Sequence, residues 1–448
     1  MANLSTYLKK AKSAYHVTSY VAARLLEAGF EELDFKKPFN LEKGKAYFVS
    51  PYPTSLFAFR IPNNIIDGKM HIACAHTDSP CFKIKPCAQL DDKCNTLRVN
   101  TEPYGGMLKK TWFDRPLGLA GAIVLKSDNP YQPDTLYFDS GKPWFIIPSL
   151  APHMDREIEE KKIDPQKEMM PLYATCGDGD KSITTMICRR AGVSEDDILD
   201  YDLNLYCTEN PEIIGPELDY ILASRIDNVV SVAALVEGII GSDRTTSDPF
   251  DGVVLKTLEN CTEGEADISM VALFDNEEVG SRTKQGADSG MLKWIIDRIF
   301  DTEIFSGISE DIAIAGSKML SVDGAHAVHP NYADKADDTA RAYIGKGVVV
   351  KTSASQRYVT DSTMIGIVSA LCKENNIPFQ KQANKSGTPG GQTLGPIESS
   401  YLPIPAADIG VPMLGMHSIS ETMSLEDYES LLKLSAIWLN GKKAEKEE

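Results

Sequence analysis

The sequence predicts an α/β fold: a central sheet flanked by helices and interrupted by an inserted, mostly-β domain. Three observations predict it. Apolar segments of strand length and helix length alternate in both outer parts of the chain. The middle shifts to short β-like segments cut by Gly, Pro and Asp turns, and polar clusters recur where apolar strands end.

Taken in order, Tyr15, Val17, Tyr20, Val21, Leu25 and Leu26 recur at helical spacing and stop at Gly29, which predicts a helix in the first thirty residues. Met70 to Ala75 is a short apolar run opened by Gly and closed by a polar turn, the pattern of a buried strand. From 87 to 215 the segments TLRVNTEP, GAIVLK, TLYFD and WFIIP read as strands, and DREIEEKKIDPQKEMMP as an exposed loop or short helix. NPEIIGPELD, with two prolines and a Gly, reads as the linker that returns the chain. Helix VVSVAALVEGII, strand DISMVALFD, helix GMLKWIIDRIF, strand MLSVD, helix TMIGIVSALCKEN and a final strand IGVPMLGMH follow. The expected division is therefore one discontinuous domain, 1–86 and 216–448, around an insertion, 87–215. No repeat of solenoid period is present.

The chain has 448 residues, a formal charge of −18, 42% hydrophobic and 25% charged residues. That is ample for a full core. The acidic balance argues against nucleic acid as a partner, since phosphate binding needs a basic face. No apolar run approaches the ~18 residues of a membrane helix, and MANLSTYLKKAKSAYHV lacks the apolar stretch of a secretory signal. A cytoplasmic protein without membrane attachment is expected. Nine cysteines, odd in number and without a C-x-x-C pair, read as buried reduced thiols.

Five clusters carry chemistry: AHTDSP (His76, Asp78), SRIDN (Asp227), FDNEEVGS (Asp275, Glu277, Glu278), SVDGAHAVHP (Asp323, His326, His329) and GMHS (His417). Each falls at a strand end or a strand-to-helix turn, the edge where open α/β sheets bind ligands. Any one alone is an ordinary cap or turn. Five on one edge exceed what composition supplies. Histidine with carboxylates and no thiolate suits a hydrolytic Zn²⁺, Mn²⁺ or Co²⁺ site. His76-x-Asp78 places a carboxylate behind an imidazole. From an extended backbone, adjacent Glu277 and Glu278 face apart, so that one binds metal and the other serves as general base. Two metals need a shared carboxylate, and Asp227 at a helix start is the candidate bridge. His16 and His71 read as structural, and His329, before Pro330, as a turn residue.

Rival chemistries fit less well. There is no G-x-S-x-G elbow, and SGTPGGQTLGP lacks the Gly-Lys-Ser/Thr of a phosphate loop. That run reads instead as a substrate-contacting loop, Gly391 included, against a plain turn. Cys74 shares a strand face with His76 but reads as a buried thiol.

AHTDSP, SRIDN, FDNEEVGS, SVDGAHAVHPNY, VKTSASQRY, GGQTLGP and GMHSISE, in that order, resemble the aspartyl aminopeptidase and vacuolar aminopeptidase I family across nearly the whole chain. The resemblance implies a mixed central sheet of the zinc aminopeptidase fold and two divalent ions, usually zinc. His76 and Asp323 would hold one ion, Glu278 and His417 the other, with Asp227 bridging, Glu277 as general base and Asp78 orienting His76. Hydrolysis would proceed by attack of metal-activated hydroxide on the first peptide bond of short peptides. It further implies that the insertion serves dimerisation and that dimers assemble into a tetrahedral dodecamer. His153 in IIPSLAPHM matches a histidine that reaches a neighbouring subunit's site, although Ser149 stands where acid-specific members carry another histidine. Lys351 matches a lysine that pairs with an acidic N-terminal side chain, which favours Asp or Glu over neutral residues. His326 is expected at the substrate. The rivals are the same chemistry on neutral or hydrophobic N-termini, a two-metal amidohydrolase of non-peptide amides, which would not need a free substrate amine, and a catalytically idle shell protein, which would have lost Glu277 or His417.

Overall fold

The strand Met70–His76 is buried along nearly its whole length and lies at the centre of a nine-stranded sheet. In order across it run Glu31–Glu32, Ala46–Tyr52, Ser55–Arg60, Ile268–Phe274, Met70–His76, Lys318–Val322, Ala406–Gly410, Val348–Thr352 and Phe379–Ala383. The computed structural model describes residues 4–90, 94–156, 162–177, 181–217, 219–241, 267–388 and 390–440. The sheet is mixed: Ile268–Phe274, Met70–His76, Lys318–Val322 and Ala406–Gly410 are mutually parallel, while Ser55–Arg60 and Val348–Thr352 run against their inner neighbours. Alternate side chains enter opposite cores. Ala73, Val271 and Leu320 pack with helices Ile226–Ile240 and Leu425–Asn440. Ile72, Cys74, Met270 and Ala272 pack with helix Met291–Phe300. Burial on both faces explains why these strands read as continuous apolar runs.

Register sets the site. His76 is level with Phe274 and Cys74 with Ser321, so the residues that follow three adjacent parallel strands emerge side by side. Gly410 is obligatory at this edge, because a Cβ there would stand 1.7 Å from the backbone oxygen of Asp323.

A second, six-stranded sheet is antiparallel and runs in the order Asp134–Asp139, Leu117–Leu125, Ile198–Cys207, Cys81–Gln89, Thr96–Tyr104, Leu172–Thr175. Its first strand starts at Cys81, ahead of the expected boundary at 87. The alternation of buried Phe82 and Ile84 with half-buried Lys83 and Lys85 is the period-two pattern that marks it. The expected return linker contains the strand Glu212–Ile214, paired with Tyr220–Ala223 in a third sheet of five strands. WFIIP supplies only isolated bridges, at Phe145 and Ile146. The polar stretch 155–171 contains the short helix Pro165–Glu168, while its residues 157–161 lie outside the described residues.

Three further expectations shift. The N-terminal helix is two, Leu4–Lys10 and Ala14–Glu27. The final strand is also two, Ala406–Gly410 in the large sheet and Pro412–Leu414 in the five-stranded one. Beyond it come the strand Glu421–Ser424 and the helix Leu425–Asn440. Eight cysteines are free; five are buried as expected and Cys176 is half-buried, but Cys87 and Cys94 are exposed, and Cys261 lies outside the described residues. Among the described residues no helix is long and apolar enough to cross a membrane.

One buried acid stands apart. Glu398, on the helix Leu394–Tyr401, is 0% exposed, and neither of its oxygens has a hydrogen-bond partner among the described residues. Burial, helped by Asp288, holds its carboxyl well above the usual range. An unfolded Glu ionises near ~4.3. The folded state therefore retains a proton that the unfolded state loses, and stability falls as pH rises from there towards the folded pKa, by about 1.4 kcal/mol per pH unit. Glu398→Gln removes this slope. Its unfolding midpoint should exceed that of the parent at pH 8 and approach it at pH 4; equal differences at both pH values in a thermal melt would refute this.

Candidate metal and catalytic site

Five separate segments converge at the carboxyl edge of the large sheet. His76 ends its strand, Glu277 and Glu278 follow Phe274, Asp323 follows Val322, Asp227 begins the helix Ile226–Ile240, and His417 follows Pro412–Leu414. Asp227 and Asn228 are non-helical within that helix start. Glu277 and Glu278 do not face apart: they lie on a short 3₁₀ turn, Glu277–Val279, entered through Asn276 at φ 63°. Both reach within 4.8 Å of a His76 nitrogen, ligand atom to ligand atom.

Two groups of ligand atoms share one residue. Nε2 of His76 lies 3.4 Å from Oδ1 of Asp227 and 3.5 Å from Oδ1 of Asp323. Nε2 of His417 lies 3.6 Å from Oδ2 of Asp227 and 3.4 Å from Oε2 of Glu278. These separations exceed the ~2.7–3.2 Å of a good N–H···O bond. They match the edge of a tetrahedron around an ion with ligands at ~2.0–2.1 Å, roughly 3.3–3.4 Å.

The tautomers agree. Nδ1 of His417 is 3.0 Å from the carbonyl of Gly106, to which it can only donate. Nδ1 of His76 faces the backbone carbonyl of Asp78 at 3.1 Å and its Oδ1 at 3.3 Å. In neutral imidazoles each Nε2 would then carry a lone pair aimed at carboxylates, an arrangement that needs a cation between. Oδ1 of Asp227 and Oε1 of Glu278 are buried and lack hydrogen bonds among the described residues. The donor set therefore fits divalent ions.

Without metal, protons take that place. For His76, burial alone would lower the pKa, but Asp227, Asp323 and Asp78 outweigh it and raise it well above normal. Burial likewise opposes His417, yet Asp227 and Glu278 bring it up to about 10. Asp227 is held below the carboxylate range because His417 and His76 overcome its burial. Glu277 is raised to about 8, by burial first and then by Asp323, Asp78 and Asp227 against His76.

Asp78 knits the edge together. Its Oδ1 accepts the amide of Glu277 at 3.2 Å, and its Oδ2 accepts the amide of Glu278 at 3.2 Å and the hydroxyl of Tyr104 at 2.6 Å. Tyr104, Gly105 and Gly106 come from the end of the strand Thr96–Tyr104 in the second sheet and the turn that follows it. Gly105 has φ 77°, and a Cβ there would press on Cβ of Glu278 at 3.2 Å.

Beside these groups opens a cavity of about 320 Å³. Its lining includes Glu277, His326, Lys351, Tyr358, Gly391 and Gln392. Lys351 is 1% exposed; its ammonium donates to the carbonyls of Asp323 at 3.2 Å and Gly324 at 3.1 Å and lies 5.1 Å from the Tyr358 ring centre. Burial would lower its pKa, but Asp323 and Asp408 raise it, so it stays charged. His153 is brought nowhere near: it is exposed and absent from the lining. His71 is satisfied by the carbonyl of Trp438 and by Asp267, and His16 by Ser13. His329 accepts the amide of Asn331 at a turn.

Sequence reasoning missed Tyr104, Gly106, Tyr358 and Glu421. Glu421 and Tyr358 had local signals, closing the quoted segments GMHSISE and VKTSASQRY; Tyr104 and Gly106 had none.

The sequence model of the aminopeptidase I zinc metalloproteases, family M18, matches residues 7–437. A probable M18 family aminopeptidase 2 of Clostridium novyi (strain NT) is 36% identical over 433 residues, 95% of each chain. Among solved structures, a chain of the cryo-EM structure of the Ape4 and Nbr1 complex superposes with a TM-score of 0.86 at 26% identity, covering 98% of this chain and 85% of that one. The S. cerevisiae mApe1 dodecamer shares the fold, with a TM-score of 0.81 at 22% identity over 97% and 95% of the two chains. The fold, the convergent histidines and carboxylates and these likenesses agree: the chain belongs to the M18 family of zinc metalloproteases and is a metallo-aminopeptidase.

Proposed function

We propose that the chain removes N-terminal residues, Asp or Glu by preference, from short peptides with two divalent ions, zinc first and Mn²⁺ or Co²⁺ as alternatives. One observation carries the two-ion reading: the two oxygens of Asp227 face different histidines, at 3.4 and 3.6 Å. His76 and Asp323 would hold one ion, Glu278 and His417 the other, and Asp227 both. Bound there, the ions supply positive charge that brings the pKa of water towards neutrality and polarises a carbonyl.

The chain's own residues do the rest. Glu277 takes a proton from the attacking water and returns it to the leaving amine. Asp78 fixes the imidazole of His76 and, through two amides, the Glu277–Glu278 turn. Lys351 presents a buried positive charge to an acidic side chain, which supports the Asp or Glu preference. His326 and the amide of Gly391, both at the cavity wall, would meet the substrate backbone. His153, exposed in one subunit, would serve a neighbour's site. The dodecameric structural neighbour supports a homo-oligomer; dimers joined through the second sheet and set in tetrahedral arrangement are what the sequence resemblance implies.

The test is hydrolysis of free and N-acetylated Asp-X, Glu-X, Leu-X and Ala-X dipeptides after metal removal and add-back of Zn²⁺, Mn²⁺ or Co²⁺. Metal-dependent cleavage of free acidic dipeptides alone is expected. Preferred cleavage of Leu-X or Ala-X would overturn the acidic preference, cleavage of acetylated substrates would point to an amidohydrolase, and no cleavage with two ions bound would leave an idle shell protein.

A further inference from the structure

Glu421 opens the strand Glu421–Ser424 and is 2% exposed. It does not line the substrate cavity. Both of its carboxylate oxygens accept backbone amides: Oε1 that of His417 at 2.7 Å, Oε2 that of Asp227 at 3.0 Å. Those amides belong to different elements, and their side chains meet at 3.6 Å.

Neither residue is held by regular secondary structure. His417 has φ 67°, in the left-handed region, where a non-glycine residue needs outside support. Asp227 has φ −78° and ψ 110°, off the helix it begins. Their counterparts differ. His76 is the last residue of a strand paired on both sides, and the amide of Asp323 donates to the carbonyl of Ile409 at 2.9 Å. The sheet holds the backbones of His76 and Asp323, whereas the amides of Asp227 and His417 share one carboxylate.

We propose that Glu421 is a positioning residue, a carboxylate clip that fixes Asp227 and His417 relative to each other and so sets the affinity of the Asp227–Glu278–His417 half for its ion. This rests on the two-ion reading above. A carboxylate suits the task because it offers acceptors on both oxygens, whereas an amide offers one acceptor and turns a donor towards the other N–H. The side chain touches neither substrate nor ion, and its effect passes through the backbone of the two ligands.

The experiment uses the full chain. Glu421→Gln and Glu421→Asp are stripped of metal and titrated with Zn²⁺ alone in buffered solution, with bound ions counted by mass spectrometry and unfolding midpoints recorded beside them. The expected result for Glu421→Gln is the ion of the Asp227–Glu278–His417 half bound at least tenfold more weakly and the other, which shares only Asp227, weakened less, with activity returning at high Zn²⁺. Glu421→Asp, which keeps both acceptors on a shorter arm, should fall between, and it carries the measurement if the Gln variant does not fold. Two ions bound with parental affinity in the variants would overturn the clip, as would equal weakening of both ions with a lowered midpoint, the mark of a merely structural role. A parent chain that itself binds fewer than two ions would instead overturn the two-ion reading.

Discussion

Glu277→Gln keeps both ions and loses turnover by about 10²–10⁴-fold, the usual contribution of a positioned general base. Glu277 lines the cavity beside Asp323 and Asp227, and its backbone amide, held by Asp78 at 3.2 Å, fixes its position whatever the side chain. Gln keeps the shape and loses the basic oxygen. In the metal-free chain the carboxyl is raised to about 8 by burial and its acidic neighbours. Its proton is therefore available near neutrality, and the charge of bound ions favours the ionised, basic form. The decisive comparison is kcat beside metal content in the same preparation. A Gln variant with parental kcat would remove Glu277 from the chemistry; one that lost an ion would make it a ligand.

Asp227→Asn should be more damaging still, because one substitution reaches both ions. An amide supplies one weak oxygen and a nitrogen that does not coordinate, so one half of the site loses a ligand outright and the other keeps a neutral one. The affinity for both ions should fall by more than the roughly 10–100-fold that follows from altering an outer partner. Activity at limiting metal should fall with it. Equilibrium dialysis against buffered Zn²⁺ reads this directly, and two ions retained per chain at parental affinity would show that Asp227 does not bridge. Removing this charge also takes the largest stabiliser of protonated His76 and His417 from the metal-free chain. Their imidazoles should then titrate at lower pH.

The convergence of the site residues was legible because most of them follow an apolar run, and parallel neighbours in register bring such ends together. His76, the Glu277–Glu278 pair and Asp323 needed only that rule. The geometry of the two glutamates did not follow from it, since the chain leaves the strand through Asn276 at positive φ and tightens into a turn. The split of the last predicted strand was equally hidden. Its apolar run, Ile409 to Leu414, continues across two sheets, and the break depends on Gly410 passing against Asp323. Tyr104 and Gly106 left no trace, because hydrogen bonds to residues far along the chain impose no local period. The start of the second sheet at Cys81 was readable in the Phe82 to Lys85 alternation and was masked by the Pro and Cys that follow.

The contact of Tyr104, Gly105 and Gly106 with Asp78, Glu278 and His417 has a dynamic consequence. The end of the second sheet at which Tyr104 pairs with Cys81 walls the candidate site, so any breathing that lifts this end away breaks the bond from Nδ1 of His417 to Gly106 and the bond from Tyr104 to Asp78 together. On the proposed two-ion reading, escape of the ion at His417 would then follow sheet separation, and its residence time would report how often the two sheets part.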